Sequence, residues 1–228
     1  MTKTITWNTL SIAGFEHKPV PNTFIRQQTE ATHAAIVLPG LGYTAQMPLL
    51  FYVAELLLAR HADVLQVNYN YLDVFRGLDQ ATQHRWLTAD CIAAYRALLV
   101  QRTYTRLTFV GKSLGTLAMA HLFATQTLPA HTAALWLTPV LSNPQVREQI
   151  AAFDGPSLVV IGTADQFYDP ALLAEIGQTP TRRFVIIEGA DHGMSVNGDV
   201  FRSLQALEGT MRAAAALFDD YLSADRAD

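Results

Sequence analysis

The sequence predicts an α/β protein built on a mostly parallel sheet of about seven to eight strands flanked by helices. Three observations lead there. Short apolar runs alternate along the chain with longer segments whose apolar residues recur at helical spacing, and strands that alternate with helices are joined by right-handed crossovers into parallel sheets. The runs are continuous rather than broken by polar residues, the pattern of strands covered on both faces. One of them, Arg106–Val110, runs into Gly111-Lys112-Ser113-Leu114-Gly115 and turns at once into a helix of small and apolar residues that reaches Ala120.

In chain order, residues 4–12 and 23–28 carry β-branched and aromatic residues broken by Gly14, Pro19 and Pro21, as expected of short antiparallel edge strands forming a first hairpin. His33–Leu38 (HAAIVL) is a buried strand ending at Pro39-Gly40-Leu41-Gly42-Tyr43. A helix with a broad apolar face follows from about Met47 to His61, then a strand over Asp63–Tyr69. Residues 70–83 have no clean period and leave open a lid-like loop; Trp86, Leu87, Cys91, Ala94 and Leu98 then mark a long helix over 83–101. Ala133–Leu137 is a strand ending at Thr138-Pro139, and Pro144 fits the first turn of a helix reaching Phe153. Ser157–Ile161 and Arg183–Ile187 are two more strands, separated by Asp169-Pro170 and a short helix over 171–176. A last helix spans 200–222, weakened at Gly209.

Composition removes several function classes. With 228 residues, half of them hydrophobic, the chain suits one domain over 1–228 with a large core. The net charge is −4 and the sixteen basic residues are dispersed, which disfavours a nucleic-acid surface or a polybasic membrane patch. Cys91, the single cysteine, sits among Ala89, Ile92 and Ala93 and reads as a small buried hydrophobe. The N-terminal stretch lacks the apolar core of a signal peptide, and no segment is apolar for long enough to span a bilayer. A soluble cytoplasmic protein is expected. Metal-binding spacings such as H-x-x-x-H and the G-x-x-x-x-G-K-[ST] phosphate loop are absent, and Gly40-x-Gly42 lacks the third glycine of a dinucleotide site. No cofactor is expected.

The strand–turn–helix around Ser113 carries the chemistry. A serine at the apex of such a turn presents its hydroxyl beyond the sheet, and flanking glycines allow strand and helix to cross closely. The spacing G-x-S-x-G alone is weak in a chain with 13 glycines; its position between a buried strand and an apolar helix makes it specific. On these residues the chain resembles an α/β-hydrolase. That resemblance implies the chain order Ser, then Asp or Glu, then His.

Both partners are available at strand ends. A serine hydroxyl is a poor nucleophile until a neighbouring base takes its proton, and His192, in the loop after Arg183–Ile187, lies where the family keeps that base. Imidazole titrates near neutrality and can accept and return the proton. After Ser157–Ile161, Asp165 stands three residues past Gly162 and resembles the family's acid, which orients the histidine. Asp169 is the rival, although preceding Pro170 and a helix it is explained as an N-cap; Asp191 and Glu188 are more remote. The resemblance also implies an oxyanion hole from the backbone N–H groups of Leu41 and Leu114, with Pro39-Gly40 where the family commonly has His-Gly. It further implies a chain without a sizeable cap, because the family's helical lid often falls between Ala133 and Ser157, where nothing long is inserted. Lys112 is expected to point into polar groups or solvent.

Tyr43, Met47, Tyr71, Pro139, Phe167 and Met194 all fall on loops at the strand-end face and are candidates to line an apolar acyl pocket. The reading that follows is a serine hydrolase of carboxylic esters or thioesters with small or medium acyl groups, acting on a small-molecule substrate. A non-catalytic member of the same fold serving as a binding scaffold is the alternative.

Overall fold

A computed structural model describes residues 5–223. Eight strands form one sheet in the order β1-β2-β4-β3-β5-β6-β7-β8. β1 (Ile5–Asn8) runs antiparallel to β2 (Asn22–Gln27), and β2 antiparallel to β4 (Ala62–Val67). From β4 onward through β3 (His33–Leu38), β5 (Arg106–Lys112), β6 (His131–Leu137), β7 (Ser157–Gly162) and β8 (Arg182–Ile187) every pairing is parallel.

Among the described residues, seven α-helices flank the sheet: α1 (Pro48–Ala59), α2 (Tyr71–Val74), α3 (Gln80–Leu99), α4 (Leu114–Thr125), α5 (Pro144–Ala152), α6 (Pro170–Ile176) and α7 (Val200–Ser223). α1 and α7 pack together on one face, over Ala35, Val37, Val110, Leu135, Leu137 and Val160. α3, α4 and α5 cover the other, over Ala34, Ile36, Phe109, Ala134, Trp136 and Val159. Consecutive strand residues thus feed opposite cores, which is why these strands are apolar without interruption.

The chain runs from β3 outward to β4, then crosses back to place β5 on the other side of β3. Such a reversal opens a crevice at the carboxyl ends of the strands. The Leu38↔Gly111 register sets the loop after β3 directly beside the turn after β5.

Three differences from the sequence expectation have local causes. β1 ends at Asn8 rather than running to residue 12, because the Asn22 side chain takes both the N–H and the carbonyl of Leu10 (2.9 and 2.8 Å) and draws the chain off the sheet; the expected start at Thr4 lies outside the described residues. β2 is not an edge strand: β4 flanks it, and Phe24 and Ile25 are buried. α3 starts at Gln80 rather than 83, since the Asp79 carboxylate caps it, accepting from Thr82 N (2.9 Å) and Thr82 Oγ1 (2.8 Å). Within the otherwise irregular stretch from residue 70 to 79, α2 forms a single turn.

Among the described residues, no helix is long and apolar enough to cross a membrane.

Candidate active site

Ser113 occupies the single residue between β5 and α4, with φ 52° and ψ −115°. That left-handed backbone is strained for a residue with a side chain, on the order of 1–3 kcal/mol, and persists because its surroundings fix it. The Ser113 N–H donates to Leu137 O on β6 at 3.0 Å, and the helix begins immediately after. The turn is as tight as its glycines allow: a Cβ on Gly115 would lie 2.0 Å from Leu38 O, and one on Gly111 would lie 2.5 Å from Met119 Sδ and 2.8 Å from Gly115 O.

His192 Nε2 lies 2.7 Å from Ser113 Oγ, and His192 Nδ1 lies 2.8 Å from Asp165 Oδ2. An ionised carboxylate only accepts, so Nδ1 carries the ring proton and Nε2 is left as the acceptor facing the serine hydroxyl. The Asp165 side chain has no solvent exposure, and its other oxygen accepts the Phe167 N–H at 2.9 Å. The imidazole keeps 27% exposure, and Phe167 packs edge-on against it with ring centroids 5.2 Å apart. Asp169 stands apart from this chain of bonds, capping α6 through Ala171 N (2.8 Å) and Leu172 N (3.4 Å). Asp191 instead braces the histidine loop, accepting from Gly193 N (2.8 Å) and Ser195 N (2.9 Å).

Leu114 directly follows Ser113, and Leu41 follows Gly40, where a Cβ would lie 3.2 Å from Ser113 Cβ. Gly40 and Tyr43 exchange backbone hydrogen bonds at 3.1 and 3.3 Å, closing a turn with Leu41 near its tip. Leu114 is the first residue of α4, where an N–H has no intrahelical acceptor and the helix dipole favours negative charge.

Lys112 is only 2% exposed, so of the two expectations, polar groups or solvent, it meets the first. Its side chain runs beneath the loop after β3, with Cδ 3.1 Å from where a Gly40 Cβ would be. The ammonium donates to His192 O at 3.0 Å and sits 4.6 Å from the centre of the Tyr43 ring. Burial pushes its pKa down to about 8, against the opposing pull of the Asp165 and Asp191 carboxylates. A cation on the residue before Ser113 thereby ties the histidine loop to the loop after β3.

The pocket candidates divide. Tyr43, Met47 and Met194 line a cleft of about 660 Å³ between the start of α1 and the start of α7. Tyr71 does not line a pocket: it is 3% exposed, its hydroxyl donates to Asp90 Oδ2 at 2.7 Å, and its ring stacks between Tyr69 and Phe75 with centroids 4.1 and 4.3 Å away. Pro139 is likewise buried, at the end of β6. A second cleft of about 460 Å³ opens beside Leu114, lined by Phe75, Leu87, Leu117, His84 and Asn143 among others. The sequence reading missed Val200 and Leu204, which line the first cleft at one-turn spacing on α7. That spacing is their only signal, and nothing in it says which cleft the helix end faces.

A doubly covered, mostly parallel sheet, with a serine on a strand-to-helix turn bonded to a histidine that is bonded in turn to an aspartate, both from later strand ends, defines the α/β-hydrolase class of folds. The chain belongs to that family: the family's α/β-hydrolase domain model matches residues 32–220. No curated protein matches the sequence. The fold is similar to that of a Pyrococcus furiosus esterase (TM-score 0.70, 14% identity, covering 95% of this chain and 93% of that one). It is also similar to a Xanthomonas campestris serine hydrolase described as having no lid (TM-score 0.60, 17% identity, 93% and 95% covered). An Anabaena variabilis dienelactone hydrolase is a third such structure (TM-score 0.66, 18% identity, 95% and 98% covered).

Proposed function

We propose that the protein is a serine hydrolase of carboxylic esters that works through an acyl-enzyme, with Ser113 as nucleophile, His192 as base and acid, and Asp165 as the group that orients the imidazole. The observation that carries this reading is the continuous hydrogen-bonded path from Ser113 Oγ through His192 to the buried Asp165 carboxylate (2.7 and 2.8 Å). Ser113 Oγ attacks the ester carbonyl while its proton passes to His192 Nε2. The Leu41 and Leu114 N–H groups receive the developing oxyanion, and the C–O bond breaks as Nε2 returns the proton to the leaving oxygen. Water, deprotonated by the same nitrogen, then attacks the acyl-enzyme and releases the acid. Thioesters fit the same machinery.

The clefts beside His192 and Leu114 leave room for esters of small or medium acyl groups, and Tyr43, Met47, Met194 and Phe167 are the candidate contacts. Only residues 138–143 separate β6 from α5, which supports a single domain without a sizeable cap. The reading includes no cofactor, and a cytoplasmic setting fits the buried, unpaired Cys91.

The test is covalent labelling by a fluorophosphonate, with and without Ser113→Ala. Labelling of the native protein that the variant loses, together with turnover of short p-nitrophenyl esters, is the expected result. A native protein that neither labels nor turns over esters would leave the fold as a binding scaffold.

A further inference from the structure

Resting on that reading, we infer that the cleft between α1 and α7 binds the leaving group of the substrate, and that this group is a large apolar alcohol. The direction follows from proton delivery. His192 Nε2 must hand its proton to the leaving oxygen, so that oxygen and whatever it carries lie on the imidazole side of the serine. The cleft is the one next to that loop: Gly193 and Met194, the two residues after His192, belong to its lining, as does Tyr43, just past the loop that holds Leu41. The acyl group, on the far side of the carbonyl, is then left to the second cleft beside Leu114.

The chemistry of the occupant follows from what the cleft has left to offer. Its polar side chains are largely engaged. The Tyr43 hydroxyl accepts from Leu49 N at 3.0 Å, the Ser203 hydroxyl accepts from Val196 N (2.9 Å) and donates to Asp199 O (2.8 Å), and Asp199 Oδ1 accepts from Arg202 N at the start of α7 (2.9 Å). What remains is apolar and open, with Met47 40%, Val200 71% and Leu204 56% exposed at the rim. No Lys or Arg lines the cleft, and Asp199 is its acidic side chain. The cation placed beside it, the Lys112 ammonium 4.6 Å from the Tyr43 ring centre, is buried and already bonded to His192 O, so a phosphate-bearing thiol carrier would meet no exposed counter-charge there, whereas an alkyl or aryl alcohol would bury apolar surface.

The experiment compares two ester series: acetates of alcohols from ethanol to octanol, and ethyl esters of acids from acetic to octanoic. In the native protein kcat/KM is expected to rise at least tenfold from ethyl to octyl acetate. Leu204→Asp, and separately Val200→Asp, should reduce that gain to under threefold while keeping the native preference along the acid series. Both positions are exposed, and a thermal melt confirms that the variants fold. No dependence on alcohol length in the native protein overturns the inference. So does a gain that survives both substitutions, or a loss that appears in the acid series instead. Absence of turnover in both series together with absence of fluorophosphonate labelling overturns the serine-hydrolase reading itself; turnover without alcohol dependence overturns only this one.

Discussion

Replacing Lys112 by methionine separates what this residue costs the fold from what it does for the site. The side chain is nearly inaccessible, and its pKa falls from the ordinary 10.5 to about 8, chiefly through burial. A depression of that size corresponds to about 3 kcal/mol by which the folded state disfavours the ammonium. Methionine matches the stem and removes the charge, but leaves His192 O without its 3.0 Å donor, a loss of about 1–3 kcal/mol if nothing replaces it. At pH 7 the two effects offset, so the melting temperature of Lys112→Met should equal or exceed the native value by a few degrees, at about 2–4 °C per kcal/mol for this size.

The pH dependence is the sharper measure. Between pH 8 and 10.5 the unfolded chain still holds the lysine proton while the folded chain has released it. Native stability therefore gains with rising pH across that window, by up to about 3 kcal/mol from this group, and the variant lacks the gain. Urea denaturation of both proteins at pH 7.5 and 10 measures it. Turnover should move the other way: with the histidine loop released, kcat is expected to drop by about 10- to 100-fold. If the two proteins show parallel stability from pH 7.5 to 10, the buried-ammonium argument is wrong. If kcat is unchanged, the tie to His192 O has no bearing on the site.

Other outcomes follow from single contacts. Asp165→Asn should leave the melting temperature nearly unchanged but lower kcat by a factor on the order of 10⁴, because an amide no longer enforces the tautomer that leaves Nε2 free; a loss below tenfold in a p-nitrophenyl ester assay would contradict that role. Gly115→Ala should cost about 3 kcal/mol or more, since the new Cβ would sit 2.0 Å from a backbone oxygen, Leu38 O, that has no freedom to retreat; a well-folded variant in a thermal melt would mean the turn is looser than described. His33 is 4% exposed, and burial with the nearby Arg106 guanidinium takes its pKa down to about 4. Its neutral form is the one that folds, so stability is full above pH 6.5 and declines as the pH falls toward 4, by up to about 3 kcal/mol; His33→Gln should flatten urea midpoints measured across that range.

The strand–helix alternation was legible in the sequence because burial on both faces leaves a continuous apolar run, whatever the rest of the chain does. Ser113 was legible for a related reason: a strand, a strained turn and a helix in the fifteen residues from Arg106 to Ala120 need glycine on each side, and the demand is local. The positions of His192 and Asp165 followed from strand ends read through the resemblance to α/β-hydrolases, but that their atoms lie 2.7 and 2.8 Å from their partners is a property of the sheet order. Tyr71 shows the limit of such reasoning. Its place on a strand-end loop matched that of Tyr43, yet one ring stacks in the core against Tyr69 and Phe75 while the other lines a cleft. Periodicity gives no sign of which way a loop side chain turns. Nor could the sequence assign Lys112, whose carbonyl partner lies 80 residues away. What the amino acids settled by themselves were the features built from neighbours in the chain. Which distant loops share a rim, which lysine is shut from water, and which clefts flank the serine were decided by long-range packing, because those contacts exist only once the sheet has closed its order.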